Sequence, residues 1–208
     1  MKRELTALLH SIGRNIKTRL KMEEYLQKFN LFTSQEITHF LALCEYRTIK
    51  KNDFFLQQDE ICDNLSYVVS GIFRSFYYSN ADDQITYCFT FQNSLLMAYS
   101  SFISGNKSQE NLQAISDSEI ISIPKKKLEE LAKSNTKWLE FLRIIAEKEY
   151  VDLESWIFNH QKDKAQQRYL DLLNKQPKFI QEIPLQHIAS YLGITQRHLS
   201  RIRANITY

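Results

Sequence analysis

The pattern that most constrains how this chain can fold lies near the C-terminus, in residues 185–203. Apolar residues recur there at three- and four-residue steps, at Ile188, Ala189, Leu192, Leu199 and Ile202. Such spacing gives a helix one apolar face and one polar face. The segment therefore predicts two short amphipathic helices that pack against each other.

The residues between these two helices predict how the chain turns. Gly193 can adopt the positive φ that ends the first helix, and Ile194 then closes the corner. Thr195 is a good N-cap for the second helix. Two helices that cross steeply over so short a turn need a small side chain at their closest approach, and Ala189 provides it. Together these features predict a helix-turn-helix.

The polar face of the second helix predicts binding to double-stranded DNA. Its candidate DNA-binding residues are Thr195, Gln196, Arg197, His198, Ser200, Arg201 and Arg203. Arginine can make paired hydrogen bonds to guanine and glutamine to adenine, whereas short polar side chains contact phosphates. We expect Gln196, Arg197 and Arg201 to face base edges. The alternative is an ordinary helical hairpin with a solvated basic face.

Charge is distributed unevenly along the chain, although the net charge is only +3. Residues 1–28 carry seven basic and three acidic side chains, and residues 160–208 carry eight and three. Residues 29–159 carry twelve basic and eighteen acidic side chains. DNA repels an acidic surface, so this distribution separates a basic end that faces DNA from an acidic body that faces elsewhere.

Several other classes of protein do not fit the sequence. It has no apolar run that could span a bilayer and no signal peptide, so we expect a cytoplasmic protein with no membrane partner. Cysteines 44, 62 and 88 are scattered, as expected for thiols in a reducing compartment, and they form no metal or iron–sulfur motif. We find no catalytic motif and expect neither an enzyme nor a cofactor. Single histidines, expected at surfaces or helix caps, are His10, His39, His160, His187 and His198.

Short alternating or aromatic runs broken by turn residues predict an antiparallel β domain, a jelly roll or barrel, between about residues 47 and 123. The predicted strands are Tyr46–Lys50, Phe54–Gln57, Leu65–Ser70, Ile72–Tyr78, Ile85–Phe91, Asn111–Ser116 and Glu119–Ile123. Helices are predicted before it at Met22–Phe29 and at Ser34–Cys44, with Ser34 as the N-cap. Residues 1–21 form a basic amphipathic segment. We expect it to pack on the roll, with contact to a membrane surface or to DNA as the alternatives.

The longest predicted helix, about Lys137–Phe158, has more apolar surface than one neighbouring domain can cover. Its apolar seam consists of Leu139, Leu142, Ala146, Tyr150, Leu153 and Ile157, and further large apolar residues widen it. A second copy of the chain would cover the excess, so the seam predicts a homodimer. The alternative is a helix that is wholly buried within one chain. A shorter helix, Asp163–Gln176, follows.

This order of elements resembles the cyclic-AMP receptor protein (Crp/Fnr) family of bacterial transcription regulators. The most specific parts are the hairpin Leu65–Arg74, the segment Asp163–Leu173 and the terminal helix-turn-helix. The resemblance covers the chain from about Phe29 onward and implies an α+β chain with a sensor β-roll similar to a cyclic-nucleotide-binding domain (29–136), a dimerisation helix (137–160) and a DNA-binding domain (161–208). Residues 1–28 are predicted to form an N-terminal helical extension before these domains. It also implies a dimer on an inverted-repeat operator, with RNA polymerase as a further partner.

The sequence departs from this family at the phosphate cassette. By alignment, Ala98 replaces the carboxylate that binds the ribose, and Ser108-Gln109 replace the pair that contains the phosphate-binding arginine. A buried cyclic phosphate would then lack its partner, so we expect no response to cyclic AMP, although Lys107 could substitute in part. The sensor is either adapted to an unknown small-molecule effector or vestigial. Candidate effector residues are Tyr87, Phe89, Met97, Tyr99, Phe102, Lys107 and Ser108, and the aromatic members could equally be core residues.

A second departure is the C-terminus, where the chain stops at Tyr208 with no full wing after the second helix of the motif. Because a wing usually adds phosphate contacts, we expect weaker or more salt-sensitive DNA binding. The alternative function is a signal-binding or protein-interaction module with a decayed DNA-binding end. The arginines at 197, 201 and 203 favour a working DNA-binding helix.

Overall fold

The structure is a computed structural model that describes residues 18–177 and 180–206. Predictions for residues 1–17 lie outside this range. The helices are α1 (18–27), α2 (Ser34–Ala42), α3 (Tyr99–Ser104), α4 (Lys125–Ser134), α5 (Thr136–Lys162), α6 (Ala165–Lys175), α7 (Leu185–Tyr191) and α8 (Gln196–Asn205). The strands are β1 (Glu45–Ile49), β2 (Phe54–Leu56), β3 (Asn64–Ser70), β4 (Ile72–Tyr78), β5 (Gln84–Phe91), β6 (Leu95–Leu96), β7 (Asn111–Ala114) and β8 (Ser118–Pro124).

The strands form two four-stranded antiparallel sheets, in the orders β1-β8-β3-β6 and β2-β7-β4-β5. This is the predicted β-roll, and all seven predicted strands are confirmed to within two residues at each end. Ser70 and Ile72 end and begin adjacent strands, and between them Gly71 has φ +97°. A Cβ at Gly71 would lie 2.0 Å from the Ser118 side chain, so only glycine fits in this turn between β3 and β4.

The core of the roll closes around a stack of aromatic rings. Trp138 of α5 stacks on Phe32 at 4.0 Å between centroids and on Phe40 of α2 at 4.8 Å. Met22 and Leu26 of α1 are buried in the same core. Helix α1 therefore packs on the roll through these residues, whereas Leu20 near its start is exposed.

The N-cap of helix α2 lies one residue before the predicted one. The N-cap is Thr33, not Ser34, since the Thr33 hydroxyl accepts from the Glu36 N–H and the Glu36 carboxylate accepts from the Thr33 N–H. This reciprocal pair satisfies two donors that the helix itself leaves free, which a cap at Ser34 could not do. Glu36 also accepts from Asn135 (2.6 Å) and Lys137 (2.9 Å) at the start of α5. One side chain thus joins two helix N-termini.

Helix α5 has two apolar faces. Trp138, Phe141 and Ile145 are buried against the roll. The predicted seam lies on the other side, where Leu139 (54 %), Tyr150 (66 %), Leu153 (56 %) and Ile157 (38 %) are exposed. Leu142 and Ala146 are half-buried. In the described part of the chain no other element covers this seam from residue 150 onward.

Helices α6, α7 and α8 share a second core with the roll. Its C-terminal members include Tyr169, Ile188, Leu192, Leu199 and Ile202. The roll contributes Ile72, Phe89, Phe91 and Ile115 to the same cluster. The C-terminal helices are thus packed directly on the sheet that contains β4 and β5.

Candidate nucleic-acid interface and effector cavities

The turn between α7 and α8 has the predicted geometry. Gly193 has φ +65°, and a Cβ there would meet nothing within 4 Å, so the backbone angle alone favours glycine. The Ile194 N–H donates to the Ala189 carbonyl at 3.0 Å, which closes the corner. Thr195 caps α8, because its hydroxyl accepts from the His198 N–H at 3.2 Å.

The outer face of α8 is exposed, and its arginine side chains have no partner among the described residues. All seven candidate DNA-binding residues are exposed, whereas Leu199 and Ile202 on the inner face are buried. Among the described residues no hydrogen bond or ion pair engages the guanidinium group of Arg197, Arg201 or Arg203. Three guanidinium groups therefore project from one helix with all their donors available to a ligand.

Helix α7 is docked on strand β5 by polar contacts as well as by the shared core. The Ser190 hydroxyl accepts from the Thr86 N–H at 2.9 Å and donates to the Gln84 carbonyl at 3.0 Å. One serine thus occupies a donor and an acceptor on the edge strand of this sheet. The edge strand would otherwise leave these groups unpaired under the helix.

A buried arginine lies beside this contact. Arg74 of β4 donates to Gln113 (2.7 and 3.0 Å), to Gln84 (2.5 Å) and to Nδ1 of His187 on α7 (2.7 Å). We call these four residues the Arg74 cluster. Burial lowers the pKa of Arg74 to about 10, which leaves it charged at neutral pH. All three of these partners are neutral, and only His187 can become a cation.

His187 must be neutral in this arrangement. A guanidinium only donates hydrogen bonds, so Nδ1 has to accept and the ring proton lies on Nε2. Burial and the neighbouring Arg74 lower the pKa of His187 to about 4. The expectation of a surface or capping histidine is therefore wrong for His187, because its ring packs between α7 and the roll.

A second arginine joins the long helix to the C-terminal helices. Arg168 of α6 donates to the Asp163 carbonyl at 2.7 Å, to the His160 carbonyl at 3.2 Å and to the Leu192 carbonyl at 2.6 Å. It thus connects the end of α5, the start of α6 and the end of α7. The α5–α6 junction and the α7–α8 turn are held by one side chain.

The structure divides the seven candidate effector residues among three cavities. Met97, Tyr99 and Phe102 line an apolar cavity of about 200 Å³ beside α4 and α5. Phe89 lines a cavity of about 450 Å³ between β5, α5 and α6. Lys107 and Ser108 line a third cavity of about 870 Å³, and Tyr87 lines both the second and the third. We call the third one the cassette cavity.

The cassette cavity contains a carboxyl group and lacks the expected phosphate site. Ser108 is buried, and its hydroxyl donates to the Glu110 carbonyl at 2.9 Å. Ala98 is buried at the N-cap of α3 and presents only a methyl group. The Glu110 carboxyl accepts from the Tyr87 hydroxyl, and its burial raises the pKa of Glu110. Among the described residues that line this cavity, Lys107 is the only basic one.

Several functional candidates were not identified from the sequence. Arg74 had a signal, since a charge in the apolar strand Ile72–Tyr78 indicates a buried partner. Glu110 had none, because it follows the polar run 106–109 and looks like a loop residue. The described residues contain no group of histidine, cysteine and acidic side chains that could hold a metal ion.

The roll is similar to a known family of domains. Residues 46–135 match the family of cyclic nucleotide-binding domains. The match covers the strands of both sheets and α3 and α4, and it ends just before α5. Among curated proteins, no sequence matches the chain.

Solved structures extend the likeness beyond the cyclic nucleotide-binding domain. FixK2 from Bradyrhizobium japonicum has a TM-score of 0.68 at 18 % identity, covering 77 % of this chain and 83 % of that one. A protein from Eubacterium rectale assigned to the Crp/Fnr family of transcriptional regulators has a TM-score of 0.67 at 18 % identity, over 86 % and 85 %. The c-di-GMP-responsive regulator CLP from Xanthomonas campestris has a TM-score of 0.61 at 15 % identity, over 83 % and 90 %. The chain has the Crp/Fnr fold.

One further finding concerns membranes. Among the described helices, even the 27-residue α5 is too polar to cross a bilayer.

Proposed function

We propose that this chain is a transcription regulator of the Crp/Fnr type, which binds an inverted-repeat operator in double-stranded DNA as a homodimer. In this proposal α7 and α8 form the helix-turn-helix, and α8 enters the major groove. The observation that carries it is the outer face of α8, with the guanidinium groups of Arg197, Arg201 and Arg203 exposed and unpaired. Exposed arginines on the second helix of such a unit are suited to reading guanine.

The residues of α8 have different proposed roles. Gln196, Arg197 and Arg201 contact base edges, whereas Thr195, His198 and Ser200 lie nearer the phosphates. Arg203, in the last turn, contacts phosphate without regard to sequence. The N-terminus of α8 adds backbone N–H groups that favour an anion.

A homodimer is proposed through α5. The apolar seam on its outer face supports this, since Leu139, Tyr150 and Leu153 are each more than half exposed in the single chain. An exposed apolar stripe of this length is suited to a two-fold partner. Two α8 helices related by that axis would read half-sites about 34 Å apart, one helical turn of DNA.

A lack of response to cyclic AMP is also part of the proposal. The cassette cavity supports it, because no arginine lines it among the described residues and the Glu110 carboxyl is present instead. A cyclic phosphate placed there would lose its water without gaining a guanidinium partner.

Selection from random DNA with purified full-length chain tests the function directly. We expect enrichment of an inverted repeat with half-sites one helical turn apart. A chain that enriches no sequence, yet is folded, is not a sequence-specific DNA-binding regulator. An enriched sequence without two-fold symmetry would contradict the dimer and retain the DNA binding.

Light scattering tests the dimer separately. Leu153→Glu places a charge on the proposed interface and leaves the roll core untouched, so we expect a folded monomer where the wild type is a dimer. Ile61→Glu is the matched control, because Ile61 is an equally exposed apolar residue on the roll. A wild-type monomer at micromolar concentration would contradict the proposal.

A further inference from the structure

The cassette cavity has a chemistry opposite to that of a phosphate site. Its partly buried charged group is the Glu110 carboxyl, which is bonded to the Tyr87 hydroxyl and forms no ion pair among the described residues. Lys107 lies on the rim, where it is exposed to solvent. An anion in this cavity would therefore meet a carboxyl and hydroxyl groups. A cation would meet a carboxyl group whose partners are the hydroxyls of Tyr87 and Ser75 and which has no cationic partner among the described residues.

Aromatic side chains supply much of the remaining wall. Tyr77 and Tyr87 lie on neighbouring strands with ring centroids 6.3 Å apart, and both line the cavity. Trp156 of α5 also lines the cavity, and its ring centroid lies 4.2 Å from that of His160, with the two rings tilted by 31°. Aromatic faces attract organic cations, because the ring quadrupole is negative on its face. A carboxylate among such rings is a typical arrangement for binding an ammonium or guanidinium group.

The residues around the cassette cavity are also acidic, like Glu110 within it. Glu149 and Asp152 of α5 line the neighbouring cavity, which shares Tyr87 and Trp156 with this one. Asp152 is paired with Lys148 at the surface, whereas Glu149 forms no ion pair in the described chain. The segment 29–159 has six more acidic than basic residues. The field at the cavity therefore favours the approach of cations.

We propose that the cassette cavity binds a small organic ammonium or guanidinium compound, with Glu110 as its counter-ion and Tyr77, Tyr87 and Trp156 as its aromatic wall. This inference rests on the proposed function only in treating the cavity as the effector site of a regulator. The cavity, of about 870 Å³, is large enough for a molecule of several carbon atoms beside the cationic group. Displacement of the Tyr87 hydroxyl from Glu110 would transmit occupancy to strand β5, on which α7 is docked.

Ligand binding is tested on the full chain without DNA, so that the result does not depend on whether the chain binds DNA. The probes are phenethylamine, agmatine and spermidine as cations, phenethyl alcohol as the neutral counterpart of phenethylamine, and cyclic AMP as the anion. We expect at least one cation to raise the melting temperature and to give a saturable calorimetric titration. Phenethyl alcohol and cyclic AMP should give neither.

Two variants locate the site. Glu110→Gln keeps the shape and removes the charge, so it should weaken cation binding roughly 10- to 100-fold. Glu45→Gln, on an exposed strand residue remote from the cavity, is the matched control and should bind as wild type does. Trp156→Phe should abolish the ligand-induced change in tryptophan fluorescence, since the other tryptophan, Trp138, is buried in the roll core.

Three outcomes would overturn the proposal. One is that no cation at 10 mM shifts the melting temperature of wild type. Another is that Glu110→Gln binds the cation as tightly as wild type. The third is that cyclic AMP binds more tightly than the cations. None of these outcomes bears on whether α8 selects an operator, so the two proposals fail independently.

Discussion

The roll closes its core with its own elements, whereas the C-terminal helices complete theirs on the surface of the roll. Both sheets, α1, α2 and the first half of α5 meet around Trp138. The core of α6, α7 and α8 includes Phe89 and Phe91 of β5. Polar contacts through Arg74 and Ser190 also join the C-terminal helices to the roll. The core of the roll is built from its own elements, whereas the position of α8 depends on the contact between the C-terminal helices and the roll.

The largest effect is expected within the roll. Trp138→Ala removes a fully buried indole stacked between two phenylalanines and should lower the free energy of unfolding by about 3–5 kcal/mol. Trp156→Ala, on the same helix but partly exposed, is the control and should cost clearly less. Urea denaturation measures both. Equal losses of unfolding free energy in the two variants would show that the roll core around Trp138 is not the more stable region.

The next effect is expected at the contact between the two bodies. Arg74→Met leaves His187, Gln84 and Gln113 without their donor and should destabilise the docking of α7 by roughly 1–3 kcal/mol. Hydrogen exchange should then speed up in α7 and α8 more than in β3 and β8. Arg47→Met, at an exposed position on β1, should leave exchange unchanged. Unchanged protection of α7 in Arg74→Met would mean that the apolar contacts alone hold the C-terminal helices.

A smaller effect is expected from pH. In the docked state His187 has a pKa of about 4, below the value of 6.5 for a free imidazole. A lowered pKa means that undocking takes up a proton, so docking is fully stable above pH 6.5 and weakens as the pH falls toward 4. Because the ring is partly exposed, the loss should be about 1 kcal/mol.

NMR chemical shifts of β5 and α7 amides measure this pH dependence. They should titrate together in wild type between pH 6.5 and 4. His187→Gln should remove the common transition, whereas His39→Gln, on the exposed face of α2, should retain it. A transition that survives in His187→Gln would assign the titration to another group.

The elements that could be predicted from the sequence are those whose signal is local. Alternation along β4 and β5 and the spacing from Ile188 to Ile202 each fit within a single hairpin or helix pair. Strand β6 was not predicted, because two residues are too few to show an alternating pattern. Helix α4 was not predicted, because lysines dominate its first turn. Its buried residues Leu128, Leu131 and Ala132 nevertheless lie at helical spacing.

The features that could not be predicted depend on contacts distant in the sequence. Arg74 and His187 are 113 residues apart, and neither position shows that the other is its partner. The candidate effector residues failed to converge for a related reason. Phe89 and Tyr87 lie two residues apart on one strand, yet Phe89 lines only one of the two cavities that Tyr87 lines. The pairing of β5 with β4 shifts register at Tyr87, which interrupts the alternation of side chains along the strand. Side-chain chemistry alone does not show which cavity a residue lines.

Fluorescence anisotropy on the selected operator tests the central claim that α8 reads DNA. Arg197→Ala and Arg201→Ala should each weaken binding by about 1–3 kcal/mol and relax the sequence preference. Arg203→Ala should weaken binding to selected and scrambled DNA alike. It should also reduce the slope of log affinity against log salt concentration by about one, as expected for the loss of one phosphate contact. If Arg197→Ala and Arg201→Ala both bind the operator as tightly as wild type, α8 does not read its sequence and the account is contradicted.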